Sequence, residues 1–152
     1  MAELDGLDKD IVSILLMDSR ISYRQIAKQL KVSTVTAMNR IKRLEADGVI
    51  KGYTARLDYE KLGYDIEVII EMKIAKGKLI EVEKKIANSY NVSAIYDITG
   101  ESDAVIIARF QNRRKMDNFL KKIQTYDFVE RTETKLILNT IKEEQIGVSG
   151  FG

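Results

Sequence analysis

The chain has 152 residues, with 25 Lys+Arg against 23 Asp+Glu, and is 45% apolar with no His, Cys, Pro or Trp. Without Cys there is no disulfide, thiolate nucleophile or Cys-based metal site, and without His the usual general base near neutral pH is missing. No apolar run approaches the ~20 residues that span a bilayer, and the acidic start Met1-Ala2-Glu3-Leu4-Asp5 is unlike a signal peptide, so a cytoplasmic protein without membrane contacts, catalytic residues, metal or cofactor is expected.

Leu4, Leu7, Ile11, Ile14 and Leu15 recur at helical spacing and predict a first helix over about residues 7–17. Ser22-Tyr23-Arg24-Gln25 is a capping box, a hydroxyl with an amide three residues on, and opens a second helix that buries Ile26, Ala27 and Leu30. Lys31-Val32 is a tight connector. Ser33 can cap a third helix to about Asp47, with Ala37, Met38, Ile41 and Leu44 facing inward and Gly48 as its stop. Three helices so spaced, the last two joined by a short turn, predict a helix-turn-helix. Positive charge gathers here: residues 20–56 hold nine basic groups against only Glu45 and Asp47, the footprint expected where phosphates are approached.

Residues 49–57 are extended and β-prone, suited to a wing or an exchanged strand, and Asp58 to Gly63 is a polar link. Alternation through Ile66, Val68, Ile70, Met72 and Ile74 predicts a strand, and Leu79, Val82, Ile86 and Tyr90 return to helical spacing. Val92–Thr99 alternates again. Gly100-Glu101-Ser102-Asp103 is a turn before a third strand over Ala104–Phe110. Met116, Phe119, Leu120 and Ile123 line a helix, and Val129–Ile141 reads as a long last strand. The order β-α-β-β-α-β is that of the ferredoxin-like fold. Such an open sheet leaves one face bare, and the Val/Ile alternation argues that a second subunit covers it. The expected class is therefore α+β: a (winged) helix-turn-helix at residues 1–49, a β-strand linker at 50–63, a ferredoxin-like module at 64–145 and a loose tail at 146–152.

This arrangement resembles the leucine-responsive regulatory protein/asparagine-synthetase regulator (Lrp/AsnC) family of transcriptional regulators. The resemblance is carried by Leu7-Asp8-x-x-Ile11, Arg20-Ile21-Ser22-Tyr23-x-x-Ile26-Ala27, Asn39-Arg40-Ile41-Lys42-Arg43-Leu44-Glu45-x-x-Gly48-Val49-Ile50, Thr99-Gly100-x-x-Asp103 and Thr132-x-Thr134. It covers residue 5 to about 143 and implies that the second module is the family's RAM domain. One residue departs from the pattern. Family members usually have Gly where this chain has Lys31, and a left-handed backbone there would cost a side chain on the order of 1 kcal/mol.

With Ala37, Ile41 and Leu44 inward, 100° per residue turns Val35, Thr36, Asn39, Lys42 and Arg43 outward. Asn39 suits an adenine edge, Arg43 a guanine, Thr36 a base or a phosphate, and Val35 a thymine methyl. Arg40 lies on the flank, fit for a phosphate or for an ion pair inside the domain. Ser33 stands at the start of this helix, and Ser22, Tyr23 and Arg24 begin the helix before it, where free N–H groups favour a phosphate. In the second module, the N–H groups of the Gly100–Asp103 turn can hold a carboxylate, Asp103 can pair with an ammonium, and Thr132 and Thr134 add hydroxyls. Glu101 or Glu133 would favour a basic or polar side chain. The resemblance implies that such positions line effector pockets between protomers and that the effectors are amino acids or related metabolites.

The expected function is sequence-specific binding of double-stranded DNA at a pseudo-palindromic operator. The protein is expected to act as a homodimer or a higher even oligomer such as an octamer, tuned by an amino-acid effector. The alternative is a metabolite-binding regulatory subunit that acts through protein contacts.

Overall fold

A computed structural model describes residues 3–75, 77–145 and 147. The chain divides into two compact units, one containing residues up to 56 together with those from 142 on, the other residues 57–141. The tail proposed for residues 146–152 lies outside the described residues, Gly147 excepted. No helix among the described residues is long and apolar enough to cross a membrane.

The first unit is built on α1 (Gly6–Met17), α2 (Tyr23–Leu30) and α3 (Thr34–Ala46). Local chemistry sets each start. Asp5 and Asp8 form a reciprocal capping box on α1, Ser22 and Gln25 do the same on α2, and Ser33 caps α3 through the Thr36 N–H at 3.0 Å. Ile11, Ile26, Ala27, Ala37, Ile41 and Leu44 form the buried core, each less than 4% exposed. The turn between α2 and α3 is closed by Lys31 in the left-handed region, at φ 55° and ψ 39°, with the Val32 N–H reaching back to the Ala27 carbonyl at 3.0 Å. Lys31 is the one non-glycine residue with positive φ among the described residues. The strain expected at this departure from the family pattern is present. Gly48, at φ 70°, ends α3 as the sequence predicts.

Residues 51–58 run on without pairing to another strand of the chain, so neither a wing hairpin nor a linker strand forms among the described residues.

The second unit contains β1 (Ile66–Ile74), α4 (Leu79–Ala87), β2 (Val92–Asp97), β3 (Ala104–Phe110), α5 (Arg113–Gln124) and β4 (Val129–Leu136). The strands lie in the order β2-β3-β1-β4, and every neighbouring pair is antiparallel. This is the ferredoxin-like sheet. Val68, Ile70, Met72 and Ile74 alternate into the core with Ala104, Ile106, Ala108 and Phe110, where they meet Ile86 of α4 and Phe119 and Ile123 of α5. The Phe110 and Phe119 rings stand 5.3 Å apart and tilted.

Three boundaries differ from expectation. The fourth strand stops at Leu136 instead of Ile141, because Leu136 pairs with Val68 and its neighbour β1 begins two residues before that; one further bond joins the Ile137 N–H to the Glu67 carbonyl at 2.9 Å. The second strand stops at Asp97, where the Ile98 N–H already turns back to the Asp103 carbonyl at 3.0 Å. Tyr90 is 74% exposed, since α4 has ended three residues earlier. The side chains of Leu79 and Val82, expected on the inner stripe of α4, lie outside the described residues.

Ile69, Val105 and Ile107 point to the face of the sheet opposite the helices, half-buried and outside the packed cluster. Ion pairs frame them. Glu67 meets Arg109 at 2.7 Å, Glu71 meets Lys135 at 2.5 Å, and Lys73 meets Asp103 at 3.0 Å.

Candidate nucleic-acid interface

Packing of Ala37, Ile41 and Leu44 into the helical core turns the opposite side of α3 to solvent. Val35 is 61% exposed, and Asn39 and Lys42 are exposed beside it. An apolar side chain so open, flanked by an amide and an ammonium, offers a thymine contact, a bidentate adenine contact and a phosphate contact on one surface. Tyr23 and Arg24 stand exposed in the first turn of α2.

Arg43, expected on the reading face, and Arg40, expected on its flank, both pair with acids of the domain. Arg43 forms an ion pair with Asp8, whose side chain has no exposed surface. Arg40 bonds Asp5 at 2.5 Å and Asp8 at 3.1 Å. Of the two roles open to Arg40 from sequence, the ion pair inside the domain is the one seen. Arg43 remains exposed and in the free chain shares the buried Asp8 carboxylate with Arg40, because a buried carboxylate has to be paired. The Arg40 guanidinium and the Asp8 backbone N–H both hold the Asp5 carboxyl below the usual carboxylate range, the backbone bond more strongly.

The hydroxyls at the helix starts are also engaged. The Ser22 hydroxyl accepts from the Gln25 N–H at 3.3 Å and donates to its side-chain oxygen at 2.7 Å, while the Ser33 and Thr36 hydroxyls bond each other at 2.8 Å. Their first task is capping, which orients the helices. Sequence reasoning did not single out Asp5 and Asp8 as the partners of these arginines. Their signal was present, in a pair of acids three residues apart and a pair of arginines three residues apart, each on one face of a helix.

Tyr53 donates its hydroxyl to Glu45 at 2.8 Å and so fastens the segment after α3 to that helix. Burial, and then this bond to a carboxylate, push the Tyr53 phenol up to about 12.

The residues expected to hold an effector are brought to one end of the sheet but not into one pocket within a single chain. Gly100 (φ 128°) and Glu101 are exposed on the hairpin between β2 and β3, with Ser102 half-buried. Thr132 and Thr134 pair across β4 with Met72 and Ile70, on the face that the helices cover, and the Thr132 hydroxyl meets Gln124 of α5 at 3.0 Å. Asp103 belongs to the other face. Its carboxylate accepts from the Ile74 N–H at 2.8 Å and from the Lys73 ammonium at 3.0 Å, and these two bonds, the backbone one first, hold its pKa low. The expected pairing of Asp103 with an effector ammonium thus meets a carboxylate already held by two donors. Among the described residues no group of three or more acids could hold a metal ion.

Residues 4–51 match the family model for a winged helix-turn-helix DNA-binding domain, and residues 67–146 match the Lrp/AsnC ligand binding domain. The chain is 48% identical over 141 residues to an uncharacterised HTH-type transcriptional regulator of Pyrococcus abyssi, covering 93% of this chain and 96% of that one. It is similar to the solved structure of AsnC from E. coli, with a TM-score of 0.88 at 26% identity over 95% of this chain and 99% of that one. It is also similar to the feast or famine regulatory protein of M. tuberculosis complexed with L-methionine, with a TM-score of 0.89 at 26% identity over 96% of this chain and 99% of that one.

Proposed function

The chain belongs to the Lrp/AsnC family of transcriptional regulators, and on that premise we propose that it represses or activates promoters by seating α3 in the major groove. The observation that carries the reading is the solvent face of α3, where Val35, Asn39 and Lys42 stand together on the most basic stretch of the chain. Lys42 contacts a phosphate, Asn39 an adenine edge and Val35 a thymine methyl, with Tyr23, Arg24 and the N-terminus of α2 against the backbone. Arg43 and Arg40 serve as anchors of the reading helix in the free protein. The protein acts where its DNA is, in the cytoplasm, and performs no chemistry.

One α3 reads one half-site, so the operator is pseudo-palindromic and the working unit is a homodimer or a higher even oligomer. The bare sheet face supports this, because Ile69, Val105 and Ile107 offer an apolar centre ringed by ion pairs, the anatomy of a subunit interface. The unpaired segment 51–58 offers a second contact, strand against strand. The effector is an amino acid, a reading supported by the matched ligand-binding domain and by the methionine complex of the M. tuberculosis relative. Gly100, Glu101 and Ser102 contribute to its site with Thr132 and Thr134 of this or a second copy, while Asp103 shapes the hairpin.

The test is anisotropy titration of promoter fragments from the source genome against random duplex, over a series of salt concentrations. Affinity falls steeply with salt. Lys42→Ala lowers the log–log slope by about one and weakens both duplexes alike. Asn39→Ala costs about 1–3 kcal/mol on the preferred fragment alone. Absence of duplex binding in dilute buffer overturns the reading and favours a subunit that works through protein contacts.

A further inference from the structure

The two arginines of α3 that face α1 are held by carboxylates of very different exposure. Asp8 has none of its side chain exposed, whereas the Asp5 side chain is 51% exposed and Arg40 itself is 28% exposed. Taking Arg43 from Asp8 would leave the buried carboxylate to Arg40 alone, so one of the two arginines has to stay with it. Taking Arg40 from Asp5 returns a carboxylate to water, and half-exposed pairs hold their partners weakly. Asp8 also keeps Arg43 when Arg40 leaves. A phosphate oxygen offers Arg40 the same charge-assisted geometry that Asp5 does, and Arg40 lies on the flank of the helix whose open face carries Val35 and Asn39.

We propose that Asp5 is an internal competitor for the DNA backbone, occupying Arg40 in the free protein and yielding it to a phosphate when α3 docks, while Asp8 keeps Arg43 and holds the helix in place. Arg40 thereby contacts backbone in the complex and Asp5 acts through it as a positioning residue. The competition lowers affinity for every duplex, and it weighs most on encounters that lack base contacts to compensate. This inference rests on the DNA-binding reading above.

Asp5→Asn isolates the effect, because an amide oxygen still caps α1 through the Asp8 N–H, now bonded at 2.9 Å. The full-length wild type, Asp5→Asn, Arg40→Gln and the double variant are titrated with random duplex and with the genomic promoter fragment that the wild type binds best. Melting temperatures confirm that each is folded. Asp5→Asn tightens random duplex about fivefold at low salt, and the gain shrinks as salt rises. Arg40→Gln lowers the salt slope by about one. In the Arg40→Gln background, Asp5→Asn changes nothing. A gain of equal size without Arg40 marks a general charge effect and overturns the proposal, as does an Asp5→Asn protein that binds like the wild type. A wild type that ignores both duplexes overturns the DNA-binding reading itself, and the inference with it.

Discussion

Asp8 and Arg43 form an ion pair that joins the first turn of α1 to the last turn of α3, and the carboxylate is wholly buried. The reading helix is therefore oriented by charge as well as by the packing of Ile41 and Leu44 against Ile11 and Ile26. Arg40 shares the same carboxylate, so losses at the two arginines are coupled.

Arg43→Ala leaves Asp8 with Arg40 and costs about 1–2 kcal/mol. Removing Arg40 as well leaves a buried charge with neither arginine and costs about 3–5 kcal/mol, more than the two single losses combined. Urea unfolding of the single and double variants measures the difference.

Lys31 holds the left-handed conformation on which the turn between α2 and α3 depends. Lys31→Gly removes strain of about 1–2 kcal/mol and adds backbone freedom to the unfolded chain worth about 0.5–1 kcal/mol. The net expected effect is a stabilisation of about 0.5–1 kcal/mol, seen as a rise of a few degrees in melting temperature. Lys31→Val, β-branched at positive φ, moves the other way.

Ile69 and Ile107 face each other across β1 and β3 on the side of the sheet away from the helices. Ile69→Glu places a third acid on β1, between Glu67 and Glu71, without touching the core residues Val68 and Ile70. Sedimentation velocity is expected to show the wild type as a dimer or larger and this variant shifted to monomer, with circular dichroism unchanged.

Tyr53 titrates late, at about 12. A phenol whose folded pKa lies above its unfolded value near 10 favours the fold while protonated. That contribution is complete below about pH 10 and is lost as the pH rises toward 12. Ultraviolet difference titration resolves Tyr53 as a late step among the seven tyrosines, and Tyr53→Phe removes the step.

Where structure follows from neighbours in sequence, it was legible. Ser22 with Gln25 announced α2, Gly48 ended α3, and the alternation through Val68 and Ile70 marked β1 and its inner face. What depends on a distant partner was not. β4 ends at Leu136 because β1, its neighbour, begins at Ile66, and nothing within β4 says so. Helical spacing turned Arg43 outward, where it is exposed, but could not show its ion pair with Asp8, 35 residues away. Likewise Thr132 and Thr134 share a face of β4, as alternation required, yet only the register with Met72 and Ile70 reveals that this is the helix-covered face, away from Lys73 and Asp103.

The Asp103 carboxylate does more than close a hairpin. By accepting from the Ile74 N–H it rivets the tip between β2 and β3 to the end of the central strand, at the point where the β1–β4 register shifts between Lys73 and Ile74. Gly100 and Glu101 thus sit on a hairpin whose base is tied, through one carboxylate, to the seam between β1 and β4.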